Sequence, residues 1–289
     1  MAHSTTTLGP MSGYLSEILA AHRAHAAQDR RILGELVDQA RSTPATRPFG
    51  ERIRSVADSS GLAVVAEVKR RSPSKGELAV DLDPHALALA YAAGGATCIS
   101  VLTDQEFFGG SPADLAAVRR AVDVPILRKD FTVSLADVCD ARIMGADAVL
   151  LIAAALRTEE LASMVRLAAD LGLDALVEVH DEVDLEKALD VGADLIGVNR
   201  RDLRTFEVDP ERADRLLSTL PPDVVAIAES GVSGVPDAAH LARAGFQGIL
   251  VGELLVRSGD PSSAVEALRG HRVGTRRSPV PDAGRGTSA

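Results

Sequence analysis

Eight short apolar runs recur along the chain, at 62–68, 97–102, 124–128, 147–152, 174–179, 194–199, 224–229 and 248–252. Each is a nearly unbroken string of Val, Ile, Leu and Ala, the pattern of parallel strands buried on both faces; a strand with one wet face would alternate. The stretches between them have helical character and close on a glycine: Ala93-Gly94-Gly95-Ala96, Met144-Gly145-Ala146-Asp147, Leu171-Gly172-Leu173-Asp174, Val191-Gly192-Ala193-Asp194 and Ala244-Gly245-Phe246-Gln247. A glycine at that point ends a helix in the left-handed conformation at little steric cost, and the next apolar run enters the sheet. Eight such units closing on themselves predict an α/β chain folded as a (β/α)8 TIM barrel. The length of 289 residues suits one such domain, typically about 250 residues. An open doubly wound sheet is the alternative; the even spacing and the lack of a G-x-G-x-x-G turn after the first run weigh against it.

The apolar residues Leu15, Ile18, Leu19, Ala26, Ile32, Leu33, Leu36 and Val37 follow an interrupted helical period, which predicts one or two extra N-terminal helices over 14–40. Residues 1–13 are rich in Ser and Thr, and residues 271–289 in Gly, Pro, Arg and Ser. Both read as poorly ordered tails, leaving 14–270 as a single domain.

Charge and cysteine usage narrow the function classes. A formal net charge of -10 disfavours a nucleic-acid partner, so any anionic ligand must be held by a local cluster of donors. Cys98 and Cys139 have no metal-type or redox-type spacing and read as free thiols in a reducing compartment. No basic segment precedes an apolar run at the N-terminus, and no run approaches about 18 apolar residues, so a soluble, cytoplasmic protein without a membrane partner is expected. Nothing in the pattern settles the oligomeric state; a monomer is compatible with it.

Catalytic residues of such barrels gather at the C-terminal ends of the strands. Read in order, those ends hold Glu67 and Lys69, then Leu102 with Phe107 and Phe108, Lys129 and Phe131, Leu150, Glu178, Asn199 and Arg201, Glu229 and Ser230, and Gly252. Lysine occurs only at 69, 75, 129 and 187 among 31 basic residues, and an ammonium can release a proton where a guanidinium cannot. Ionisable groups converging on one mouth cost several kcal/mol unless paired, so they form either a structural network or a site. Glycine-bearing turns at Ser230-Gly231 and Gly252-Glu253 follow the seventh and eighth runs, where backbone N–H groups hold phosphate in these barrels. Phe107, Phe108 and Phe131, with Leu102 and Leu150 nearby, suit either loop packing or the wall of an apolar pocket for a planar ring. No His/Asp ligand spacing appears at the strand ends, so neither a metal nor a cofactor is expected, and His180 reads as a surface or supporting residue.

The successive motifs Glu67-Val-Lys69-Arg-Arg-Ser72-Pro-Ser74, Phe108-Gly-Gly-Ser, Pro-Ile-Leu-Arg-Lys129-Asp-Phe131, Leu150-Leu-Ile, Leu-Val-Glu178-Val-His, Gly-Val-Asn199-Arg-Arg201-Asp-Leu and Ala-Glu229-Ser230-Gly231 resemble those of the indole-3-glycerol-phosphate synthases, in order, from about Tyr14 to Leu268. The resemblance implies a small sugar-phosphate substrate, 1-(o-carboxyphenylamino)-1-deoxyribulose 5-phosphate, which closes a ring, loses CO2 and then water. It implies Lys129 as general acid with Glu178 as its partner, and Glu67 and Lys69 in the dehydration. Arg201 and Lys69 would hold the carboxylate, and Asn199 and Glu229 would orient hydroxyls. Ser72, Phe108, Phe131, Leu150, Ser230, Gly231, Gly252 and Glu253 complete the substrate contacts, and the N-terminal helices are expected over the mouth. Two positions depart from the family pattern: Arg200, often a small or amide residue, and Glu253, a serine in some members. A sibling aldose-ketose isomerase and a non-catalytic sugar-phosphate-binding barrel are the alternatives.

Overall fold

The apolar runs become the eight strands of a closed parallel barrel, which rules out the open sheet. The structure is a computed structural model describing residues 13–72, 76–201 and 207–276. Its strands are β1 (Ala63–Val68), β2 (Arg71–Ser72), β3 (Gly76–Glu77), β4 (Cys98–Leu102), β5 (Ile126–Lys129), β6 (Ala148–Ile152), β7 (Asp174–Val179), β8 (Leu195–Asn199), β9 (Val225–Glu229) and β10 (Gly248–Val251). The barrel closes through β1, where Val65 pairs with Leu250 on one side and Cys98 on the other. β2 and β3 form a small antiparallel hairpin just beyond β1.

The helices are α1 (Tyr14–Gln28), α2 (Leu33–Arg41), α3 (Phe49–Ser59), α4 (Pro84–Ala93), α5 (Pro112–Ala121), α6 (Leu135–Ile143), α7 (Thr158–Asp170), α8 (Glu182–Asp190), α9 (Pro210–Thr219), α10 (Val235–Ala244), α11 (Glu253–Val256) and α12 (Pro261–Leu268). Four of them start on one local signal. Asp83, Ser111, Asp209 and Asp260 accept a backbone N–H of the first turn, and a proline fills the next position, where no donor is needed. At the other ends, Gly95, Gly145, Gly172, Gly192 and Gly245 all hold positive φ, as expected of the glycine turns.

Alternation within each strand separates two cores. Val64, Ala66 and Val68 of β1 face the helices, whereas Ala63 and Val65 join Leu127, Leu176, Leu195, Ile227 and Leu250 inside the barrel. Toward the C-terminal ends, the positions that continue the inward series carry Glu67, Lys129, Glu178, Asn199 and Glu229. The lower barrel is thus apolar and its upper rim ionisable.

The opposite end is closed by a helix that the apolar period over 14–40 does not reach. Phe49 and Ile53 of α3 are fully buried and belong to the inner core. Asp174, at the start of β7, accepts the N–H groups of Phe49 (2.7 Å) and Gly50 (2.9 Å), supplying the acceptor that a helix N-terminus lacks. Asp147 accepts the N–H of Arg47 at 2.8 Å and pins the approach to α3. The expectation that the N-terminal helices lie over the mouth therefore holds only for α1, whose Leu15 and Ile18 line the central cavity there. α2 packs beside α6 on the flank.

Residues 271–276, read from composition as the start of a tail, are held against the barrel. Leu62 donates to the His271 carbonyl at 2.8 Å, Gly274 donates to the Ala242 carbonyl at 2.8 Å, and Arg276 donates to the Gln247 side chain at 2.9 Å. Gly61 permits this approach, since a Cβ there would meet the backbone of His271. Residues 1–12 and 277–289, where the remaining tail expectations fall, lie outside the described residues. Phe49→Ala is expected to destabilise the fold by about 3–5 kcal/mol, the usual cost of emptying a buried phenyl site. Urea unfolding measures it, and a loss below about 1 kcal/mol would show that α3 is not a structural floor.

Candidate active site

A cavity of about 760 Å³ opens at the C-terminal end of the barrel, and it is lined by the described residues expected at the site other than Phe107. β1 and the hairpin supply Glu67, Lys69 and Ser72; β5 supplies Lys129 and, just beyond, Phe131; β6 and β7 supply Leu150 and Glu178. Asn199 and Arg201 come from β8 and the residues after it, and Phe108 from the segment after β4. Glu229, Ser230 and Gly231 follow from β9, and Gly252 and Glu253 from the end of β10. Pro73, Ser74, Asp202 and Leu203 of the expected motifs lie outside the described residues.

The Lys129 ammonium is the centre of the polar cluster. Its Nζ donates to Oε2 of Glu229 at 2.7 Å and to Oε2 of Glu178 at 3.2 Å. The sequence pointed to Glu178 as the partner; the fold adds Glu229 at the shorter distance. Burial disfavours the Lys129 charge, but Glu229, Glu178 and Glu67 outweigh it and raise the pKa, which favours the ammonium form. Glu178 is pushed up by burial but held well below the usual carboxylate range by Lys129, His180 and Asn199. Asn199 donates to its Oε1 at 2.9 Å. Glu229 goes the other way, to about 7, because burial dominates and Glu178 repels its charge. Its Oε1 is buried without a hydrogen-bond partner among the described residues.

Space for these carboxylates is made by absent side chains. A Cβ on Gly197 would collide with the Glu229 carboxyl, and one on Gly252 with that of Glu67, which pairs with Lys69. The turn after β9 is strained in a single place: Ser230 has φ 64°, followed by Gly231 at 70°. Together with Gly252 at the start of α11, this turn brings backbone to the cavity at the expected anion site. Across the mouth, the rings of Phe108 and Phe131 lie 6.0 Å apart and tilted.

Several lining residues lie outside the strand-end motifs. Leu15 and Ile18 roof the cavity from α1, and Arg257 and Ser258 enter beyond α11. α1 is tied down by His22, which lies 2.9 Å from Asp104, and by Arg23, which donates to the Ala155 carbonyl at 2.9 Å. His22, Asp104 and Asp130 bring possible ligand atoms within 4.8 Å of one another, a grouping not visible as a spacing. Their carboxylates are already engaged: Asp104 accepts the N–H groups of Phe107 and Phe108, and Asp130 accepts from Thr103, Arg128 and Phe131. Lys187 serves the frame, donating to the carbonyls of Ala153 (2.8 Å) and Leu156 (2.9 Å).

The family model described as indole-3-glycerol phosphate synthase matches residues 15–268. The chain belongs to that family. It is 46% identical over 262 residues to "indole-3-glycerol phosphate synthase 2" of Streptomyces coelicolor, covering 90% of this chain and 100% of the relative. It is 51% identical over 257 residues to the indole-3-glycerol phosphate synthase of Kineococcus radiotolerans, covering 88% and 94%. Among solved structures, a thiamine phosphate pyrophosphorylase from Pyrococcus furiosus shares the fold at TM-score 0.55 and 18% identity, over 72% of this chain and 94% of that one.

The two departures from the indole-3-glycerol phosphate synthase pattern have local explanations. Arg200 is buried and turns away from the mouth, forming a two-pronged pair with Asp237 of α10 at 3.0 and 3.1 Å. Glu253 lines the cavity with its carboxylate 3.8 Å from Arg257.

The raised Glu229 carboxyl predicts a pH effect. Its folded-state value of about 7 exceeds the ordinary 4.5, so its contribution to stability is full below about 4.5 and is lost as pH rises through about 7. Wild type should therefore lose more stability than Glu229→Gln over that interval. Parallel urea midpoints for the two proteins from about pH 4.5 to 7.5 would contradict the shift.

Proposed function

We propose that the chain is a carboxy-lyase that converts 1-(o-carboxyphenylamino)-1-deoxyribulose 5-phosphate to indole-3-glycerol phosphate, CO2 and water, in the cytoplasm and within tryptophan biosynthesis. Family membership supports the reaction class, and one observation carries the mechanism: a buried, charged Lys129 held between two carboxylates opposite an aromatic wall.

The substrate is an aryl amine bearing a carboxylate, joined to a ketose phosphate. Phe108, Phe131 and Leu150 take the aryl ring, Arg201 takes the carboxylate, and the backbone at Ser230-Gly231 and Gly252 takes the phosphate. Ring closure joins the aromatic carbon bearing the carboxylate to the ketone carbon. That carbon becomes a competent electrophile as Lys129 donates a proton to the carbonyl oxygen. Loss of CO2 leaves its bonding electron pair to restore the aromatic ring. The new hydroxyl then leaves as water, protonated by an ammonium, while a carboxylate removes a proton from the ring portion; Glu178 pairs with Lys129, and Glu67 with Lys69, in these transfers. Asn199 and Glu229 orient the hydroxyls of the chain.

Incubation with the carboxyphenylamino ribulose phosphate should produce indole fluorescence together with CO2. An isomerase or a binding-only barrel would produce neither.

Lys129→Ala should lower kcat by about 10²–10⁴, the usual worth of general acid catalysis, and leave the fold intact. Lys129→Arg should lose nearly as much, because a guanidinium does not release its proton. Retention of more than about a hundredth of wild-type kcat by Lys129→Ala would refute the assignment.

Inorganic phosphate should compete with the substrate at the two turns. Glu253→Ser should leave that inhibition nearly unchanged, since the Glu253 carboxylate is turned toward Arg257 and only the backbone at this turn meets the anion. Inhibition constants for both proteins measure this; non-competitive behaviour, or tighter inhibition of Glu253→Ser by about tenfold, would place the carboxylate against the phosphate.

A further inference from the structure

Next to the Lys129 clamp lies a buried side chain that none of these steps uses. His180 stands two residues beyond Glu178, just past β7, with its side chain 10% exposed. Its Nε2 lies 3.2 Å from Oε1 of Glu178, and its Nδ1 lies 3.4 Å from Oδ2 of Asp184 in the first turn of α8. Asp184 is itself fixed: its Oδ2 accepts the backbone N–H of His180 at 3.1 Å, and its own backbone N–H donates at 2.9 Å to Oδ1 of Asp181, the cap of α8. Among the described residues neither ring nitrogen has an aligned hydrogen-bond partner, while each lies within ion-pair distance of a carboxylate.

A neutral imidazole offers one donor and one acceptor, and the acceptor would then face a carboxylate lone pair. The imidazolium faces both carboxylates with N–H groups. Burial opposes its charge, yet Asp184 and Glu178 prevail and raise its pKa to about 9. The charged groups facing the ring are Glu178 from β7 and Asp184 from α8; Lys129 of β5 and the neutral Asn199 of β8 reach Glu178 from other sides. Among the described residues Glu178 therefore has three neighbours that favour its anion, whereas Glu229 has Lys129 alone and an unpartnered oxygen.

We propose that His180, anchored by Asp184, is a positioning residue that keeps Glu178 the ionised partner of Lys129 and leaves Glu229 as the carboxyl of the cluster that takes up a proton. The proposal rests on the Lys129–Glu178 proton-transfer pair assigned above and adds to Glu229, there given the orientation of hydroxyls, the uptake of a proton.

Two measurements test it. In the full-length wild-type chain without substrate, ¹⁵N-histidine NMR with the His180 ring assigned through its backbone should show both nitrogens protonated at neutral pH. A neutral His180 ring there would overturn the proposal. This readout needs no turnover, so a chain that leaves the carboxyphenylamino ribulose phosphate unchanged while His180 is charged would fail the proposed reaction and keep the pairing. The second measurement is kcat and KM against pH for wild type, His180→Gln and Asp184→Asn. Loss of the cation beside Glu178 should move the acid limb of kcat upward by about one pH unit or more in His180→Gln, a tenfold change in the ionisation equilibrium. The deficit should be largest at the acid end and shrink toward alkaline pH, with KM within about twofold of wild type and Asp184→Asn shifted less in the same direction. An unmoved limb, or a loss of equal size at every pH, would mark His180 as packing alone and overturn the proposal. Should His180→Gln fail to fold, the wild-type NMR titration and Asp184→Asn decide it.

Discussion

A buried ammonium between two buried carboxylates is the constraint around which the upper barrel is organised. Removing Lys129, Glu178 and Glu229 from water would cost several kcal/mol per ion if any of them lacked a counter-charge. The three sit on β5, β7 and β9, so their mutual distances exist only when the barrel is closed and in register. Gly197, on the intervening β8, leaves the volume that the Glu229 carboxyl occupies. The apolar lower barrel and the α3 floor keep water from the other side, and low local polarity strengthens each interaction within the cluster.

The cluster is unequal by construction. Asn199 and His180 crowd Glu178 with donors or positive charge, while Glu229, among the described residues, meets one cation and leaves an oxygen unpartnered. Two carboxylates of the same intrinsic acidity are thereby driven apart, which is how acid and base roles are separated at one pH. The frame helps set this asymmetry: α8 begins on the Asp181 cap, and that turn carries Asp184 to His180. A helix start on the barrel flank thus reaches Glu178 through one imidazole.

Much of this was legible because strand ends are marked in the chain itself. Continuous apolar runs and glycine turns locate the ends to within two residues, and a parallel barrel places all such ends on one rim. Glu67, Lys69, Lys129, Glu178, Asn199 and Glu229 could therefore be assigned to one cavity before any coordinates. Leu15, Ile18 and Arg257 could not, because apolar and basic residues in helical segments look alike whether they roof a cavity or cover a flank. α3 was missed for a related reason: its anchor is Asp174, 125 residues away, and a long-range cap leaves no local trace. The segment at 271–276 has the composition of a tail, yet its backbone is held by Leu62 and Ala242.

Local spacing and residue type determined the strands, their helical returns, the barrel and the membership of the polar rim, since each follows from periodicity and from backbone freedom at particular glycines. Tertiary structure alone decided which charges meet. Lys129 contacts both Glu178 and Glu229, Arg200 leaves the site for Asp237, and His180 lies between Glu178 and Asp184. Those choices depend on distances across the barrel of a few ångströms, set by strand register and by the volume of the intervening side chains, and no one-dimensional pattern contains them.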